Sequence, residues 1–124
     1  MSIVNRQSSM AVLVIQTAFL GDVVLTTPLL ARLAERHGPV DVLVTPAAAG
    51  LLEGHPAVRA VLRYDKRGRD RGLRGLARMA AALRKARYAR VYLPHRSLRS
   101  AALALWSGAP ERIGFAESLS LIHI

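Results

Sequence analysis

Four short apolar runs, separated by segments of helix length, constrain this chain more than any other feature. They are "AVLVI" (11–15), "VDVLVT" (40–45), "VRAVLRY" (58–64) and "ARVYLP" (89–94). The first is β-branched and apolar on both faces, as a strand buried in the middle of a parallel sheet must be. Between the runs lie a stretch reaching His37, where Gly38-Pro39 stops it, the short "PAAAGLLEG" (46–54), and residues 73–88. "SLRSAALALWSG" (97–108) and a fifth strand, "ERIGF" (111–115), close the series. Strands alternating with helices through short loops predict an α/β fold, a parallel sheet with helices on both faces. A length of 124 residues suits one such domain, and a hydrophobic fraction of 52 % suits a packed core. Only 5 % of the chain is aromatic, so Leu, Val and Ala are expected to fill that core.

Pro28 falls inside the first helical stretch, so that helix either kinks there or starts there with Thr27 as its cap. In residues 73–88 the spacing puts Leu73, Leu76, Ala77, Ala80 and Leu83 on one face. Arg67, Arg71, Arg74, Arg78 and Lys85 form a basic stripe beside it. That stripe reads either as a solvated face or as a contact for an anionic membrane surface. Nucleic acid is disfavoured, because neither a binding motif nor an aromatic stacking platform accompanies the charge.

Composition excludes several chemistries. The chain has no cysteine, hence no disulfide, no thiolate nucleophile and no Cys-based zinc site. Neither GxGxxG nor GxxxxGK[ST] occurs, which disfavours ordinary dinucleotide or P-loop binding. The net charge of +10 favours anionic partners. No segment reaches the roughly 18–20 unbroken apolar residues of a membrane span. Met10–Leu20 resembles a signal-peptide core only loosely, since Gln16 and Thr17 interrupt it and Asp22 stands where small residues belong.

In open parallel sheets, ligands gather at the carboxyl ends of the strands. Two stretches are placed there. "QTAFLGDVVLTTP" (16–28) follows the first strand, with Gly21 permitting a close backbone approach and Asp22 carrying a carboxylate. Asp22 can take a proton from a substrate hydroxyl, or merely complement the amino terminus of the helix it opens. A helix terminus stabilises the ionised carboxylate and so weakens it as a base. The second stretch, "LPHRSLRS" (93–100), follows the fourth strand. His95, Arg96 and Arg99 suit phosphate or carboxylate binding, with Ser97 capping the next helix. A solvated basic loop is the other reading of these residues.

Taken together, "VLVIQTAFLGDVVLTTPLLARL" (12–33) and "VYLPHRSLRSAALALWSGAPERIGF" (91–115) resemble the amino-terminal part of bacterial ADP-heptose:lipopolysaccharide heptosyltransferases, in glycosyltransferase family 9. The second motif favours the heptosyltransferase II type. The resemblance implies a GT-B architecture of two Rossmann-like domains with the active site between them. This chain would supply the acceptor-side domain over residues 10–117, after a flexible terminus (1–9), and would lack the carboxy-terminal donor-binding domain. It implies an inverting, metal-independent and cofactor-free transfer of heptose from ADP-heptose to the inner core of lipopolysaccharide. Asp22 would be the general base, Gly21, His95, Arg96 and Arg99 would bind substrate, and the protein would be cytoplasmic and peripheral at the inner membrane. The ending "LSLIHI" (119–124) matches a translation of CTG-TCT-CTT-ATA-CAC-ATC, a transposon end used as a sequencing adapter, so residues 118–124 are expected to be non-native and the truncated chain inactive alone. The competing expectation is a non-catalytic α/β module that binds anionic lipid or nucleic acid.

Overall fold

The computed structural model describes residues 11–17, 20–65, 68, 71–94 and 98–114, without the side chains of 20–22, 25, 98 and 99. Strands β1 (Val12–Gln16) and β2 (Val40–Val44) are buried at every position, matching their continuous apolar runs. They are joined by helix α1 (Leu20–His37), and α2 (Pro46–Leu52) leads on to β3 (Val58–Arg63). Helix α3 (Gly72–Ala86) then crosses back to β4 (Arg90–Tyr92), and α4 (Leu98–Trp106) connects that strand to β5 (Glu111–Ile113). The five strands lie in the order β3-β2-β1-β4-β5 and every neighbouring pair is parallel. This is a Rossmann-like α/β sheet, as the alternation predicts.

Successive strand residues point to opposite faces, and the core divides accordingly. Val12, Val14, Val42 and Val44 pack against Leu29, Leu30 and Leu33 of α1 and Ala48, Ala49 and Leu52 of α2. Leu13, Ile15, Leu43 and Val91 pack on the other face, under Leu76, Ala80 and Leu83 of α3 and Leu103 and Ala104 of α4. Each fully buried Leu contributes about 1.5–3 kcal/mol of transfer free energy. The two edge strands carry Arg59, Arg63 and Glu111, charges that discourage pairing with a further strand.

Three expectations change in detail. Helix α1 runs unbroken from Leu20 through Pro28, so Pro28 does not start it. Proline has no N–H to give to the carbonyl of Val24, four residues back; the Thr27 hydroxyl donates to that oxygen instead, at 2.7 Å. In α3 the buried residues are Gly75, Leu76, Ala80 and Leu83, whereas Leu73 is 81 % exposed and Ala77 is exposed. The helix meets the sheet and α4 through 76, 80 and 83; Leu73 sits in the first turn, ahead of that contact. Arg71, Arg74, Arg78 and Lys85 are all exposed, on the side of α3 turned away from the core rather than bordering it. Arg67 lies outside the described residues. Among the described residues no helix is long and apolar enough to cross a membrane.

Candidate functional site

The chain leaves β1 toward β2 on one side of the sheet and later returns to place β4 on the other side of β1. Strand order therefore reverses between β1 and β4, and the crevice beyond their carboxyl ends is the natural ligand position in such a sheet. The segments following these two strands are those that sequence reasoning selected.

Gln16, the last residue of β1, donates from Nε2 to Thr26 Oγ1 at 2.9 Å, a buried bond that ties the strand end to the second turn of α1. Thr17 Oγ1 lies 3.0 Å from Ser100 Oγ, also buried, across 83 residues of sequence. Ser100 is the third residue of α4. The loop after β1 and the first turn of α4 are thus held together at one edge of the sheet. Gly21 and Asp22 are the second and third residues of α1, so their backbone opens that helix at the carboxyl end of β1. The Asp22 side chain lies outside the described residues, as do all of His95, Arg96 and Ser97 and the side chain of Arg99, whose backbone is the second residue of α4.

Two helix amino termini, those of α1 and α4, open at this edge. The first backbone N–H groups of a helix have no partner within it and stand at the positive end of its macrodipole, a setting that favours anionic groups. Among the described residues no three His, Cys, Asp or Glu side chains converge as a metal site.

Sequence reasoning missed Thr17 and Ser100. Their signal was a hydroxyl inside a strand–helix junction or a helix otherwise built from Leu and Ala. It also missed a polar cluster at the opposite, amino-terminal edge of the sheet. Asp41 of β2 is buried; it accepts from Arg59 Nε at 2.8 Å, Arg59 Nη2 at 2.9 Å and Tyr88 Oη at 2.5 Å. The β2–β3 register shifts beside Asp41, pairing Val40 with Val58 and Asp41 with Ala60. The extra residue is Arg59, and a bulge there re-aims its side chain. Burial first, and then the bond to Asp41, push the Tyr88 phenol well above its ordinary range, and the Asp41 bond raises Arg59. The cluster was legible as a carboxylate inside "VDVLV", a strand with no solvated face. With its oxygens already engaged and its place far from the ligand edge, Asp41 is a structural residue.

Solved structures similar to this chain include three glycosyltransferases. A glycosyl transferase family 9 protein from Veillonella parvula DSM 2008 matches at TM-score 0.78 and 26 % identity, over 86 % of this chain and 32 % of that one. The ADP-heptose LPS heptosyltransferase II of E. coli matches at TM-score 0.68 and 26 % identity, over 92 % of this chain and 34 % of that one. The E. coli heptosyltransferase WaaC, solved with ADP, matches at TM-score 0.65 and 25 % identity, over 85 % and 35 %. The chain spans about a third of the length of each. No protein-family model and no curated protein matches it. The structural neighbours are thus family 9 glycosyltransferases, in line with the two sequence motifs.

Proposed function

We propose that this chain is the acceptor-side domain of an inverting heptosyltransferase, one that moves heptose from ADP-heptose to the inner core of lipopolysaccharide. The observation that supports the reading is the Thr17–Ser100 contact, which ties the end of β1 to the first turn of α4, the two elements beside which Gly21, Asp22 and the 93–100 stretch stand in the sequence. The same two segments carry the sequence resemblance, and the neighbours named above are enzymes of that type.

In the proposed step an acceptor hydroxyl oxygen attacks the anomeric carbon. The bond from that carbon to the diphosphate oxygen breaks, and ADP departs with the electron pair. One displacement inverts the configuration. The diphosphate is a good leaving group, so the protein need supply only a base for the hydroxyl proton, and Asp22 is assigned that role. Gly21 lets the acceptor approach the turn closely, and His95, Arg96 and Arg99 hold its acidic groups, Arg through its planar fork. The donor is assigned to a second domain, and no cofactor or metal enters the step. An acceptor anchored in lipid places the enzyme at the cytoplasmic side of the inner membrane.

The test is Asp22→Ala in the two-domain enzyme. Loss of a positioned general base is expected to lower kcat by about 10²–10⁴-fold while leaving ADP-heptose binding unchanged. Near wild-type turnover in that variant would remove Asp22 from the mechanism.

A further inference from the structure

The buried polar side chains of this domain are unevenly placed. Among the described residues, tyrosines apart, they are Gln16, Thr17, Thr26, Asp41, Ser100 and Ser107. Four of these six gather around the carboxyl end of β1, in a core otherwise filled by Leu, Val and Ala.

Strand alternation explains how they meet. Val12 and Val14 face α1, Leu13 and Ile15 face α3 and α4, and Gln16 and Thr17 continue the two series. Two adjacent residues therefore reach helices on opposite faces of the sheet. Gln16 Nε2 bonds to Thr26 Oγ1 of α1, and Thr17 Oγ1 to Ser100 Oγ of α4. A single strand end thus pins both helices that open at the ligand edge. Thr26 stands one turn after Asp22 in α1, and Ser100 directly follows Arg99 in α4.

Stability alone does not call for these bonds. A buried bond between neutral groups adds little net stability, since both partners give up water, and an apolar pair of the same shape does nearly as well. What the apolar pair lacks is direction. Apolar burial tolerates a helix that slides or turns slightly, whereas a hydrogen bond holds distance and angle together. A base and the groups that orient its substrate must stay within about 0.5 Å of the productive geometry.

We propose that Gln16, Thr17, Thr26 and Ser100 are positioning residues, a brace that fixes the opening turns of α1 and α4 against one strand end and so sets Asp22 relative to Arg99. This deepens the transferase reading and rests on it for the step affected. Hydroxyl direction, more than packing or stability, is what the brace supplies.

The test removes both hydroxyls of a pair together. In the two-domain enzyme, Thr17→Val with Ser100→Ala should lower kcat about 10–100-fold and leave the KM for ADP-heptose unchanged. Gln16→Leu with Thr26→Val should act alike through α1. Thr17→Ser with Ser100→Thr conserves volume and both hydroxyls, and should recover turnover. Ser107→Ala removes a buried hydroxyl just beyond the far end of α4, where it donates to the Ala104 carbonyl at 2.6 Å. That variant should lose as much stability in urea as the Thr17→Val, Ser100→Ala pair and keep its kcat. Wild-type kcat in either apolar pair, no recovery in the exchanged pair, or an equal loss of kcat in Ser107→Ala would overturn the proposal. A second measurement needs no chemistry and uses the present chain. The amides of residues 102–104 bond back to the first-turn carbonyls of α4, and in Thr17→Val, Ser100→Ala they should exchange hydrogen about fivefold faster, the equivalent of one net hydrogen bond. Unchanged exchange would defeat the brace even if heptose is transferred. Faster exchange beside a two-domain enzyme that transfers no heptose would uphold the brace and defeat the transferase reading.

Discussion

At the scale of single residues, the most demanding group among those described is the Asp41 carboxylate, whose side chain is 6 % exposed. It is tolerated because three donors from β3 and the turn before β4 converge on it. Tyr88 supplies the most buried of these bonds. Tyr88→Phe keeps the ring in the core but removes a bond to a charged acceptor, a loss of about 1.5–3 kcal/mol. Urea unfolding of that variant is the measurement, and a stability within error of wild type would show that water replaces the hydroxyl. Thr17 and Ser100 are constrained differently. Their bond contributes modestly to stability, and its importance is that it fixes one loop against another at the ligand edge.

At the scale of elements, α1 shows how a helix absorbs a proline. The missing N–H of Pro28 orphans the carbonyl of Val24, and the Thr27 hydroxyl reaches back to it. Two consequences can be measured together by thermal or urea unfolding. Pro28→Ala at this exposed position restores the backbone bond and should stabilise the domain by about 1–3 kcal/mol, after allowing for the freer unfolded chain. Thr27→Val should cost about 0.5–1.5 kcal/mol with Pro28 present and close to nothing in the Pro28→Ala background. Additive effects would show that the hydroxyl does not stand in for the amide. The end of α1 obeys a simpler rule: Gly38 takes φ +82 and returns its N–H to the Ala34 carbonyl at 2.9 Å, a left-handed stop that glycine adopts without strain.

For the whole molecule, titration at the two ends of the pH scale follows from burial. Desolvation, with help from Arg90 and Arg36, lowers the His37 pKa below 6.5 despite an opposing pull from Glu111. The folded state then binds fewer protons than the unfolded chain, so stability falls as pH drops below about 6.5. Tyr88 is raised above 10.0, so its contribution is complete below that pH and is lost as pH rises through the folded value. These two groups are therefore expected to lower stability below about pH 6.5 and above about pH 10. His37→Gln should flatten the acid limb and Tyr88→Phe the alkaline one. Denaturation midpoints across pH check both, and unchanged limbs would refute the assignment.

The sequence by itself determined the element series and the sheet type. Periodicity and punctuation are local properties: "AVLVI" between turn signals reads as a doubly buried strand, and Gly38-Pro39 as a stop. It also placed two stretches after the first and fourth strands, because in a parallel sheet every strand delivers its carboxyl end to the same side. Tertiary structure decided what depends on neighbours distant along the chain. It turned Leu73 outward and buried Leu76, since the helix's line of contact is set by the sheet and by α4. It paired Asp41 with Arg59 and Tyr88 through a bulge that no local pattern announces, and joined Thr17 to Ser100 across 83 residues. Local backbone preference fixes each element; only packing in three dimensions fixes which side chains meet.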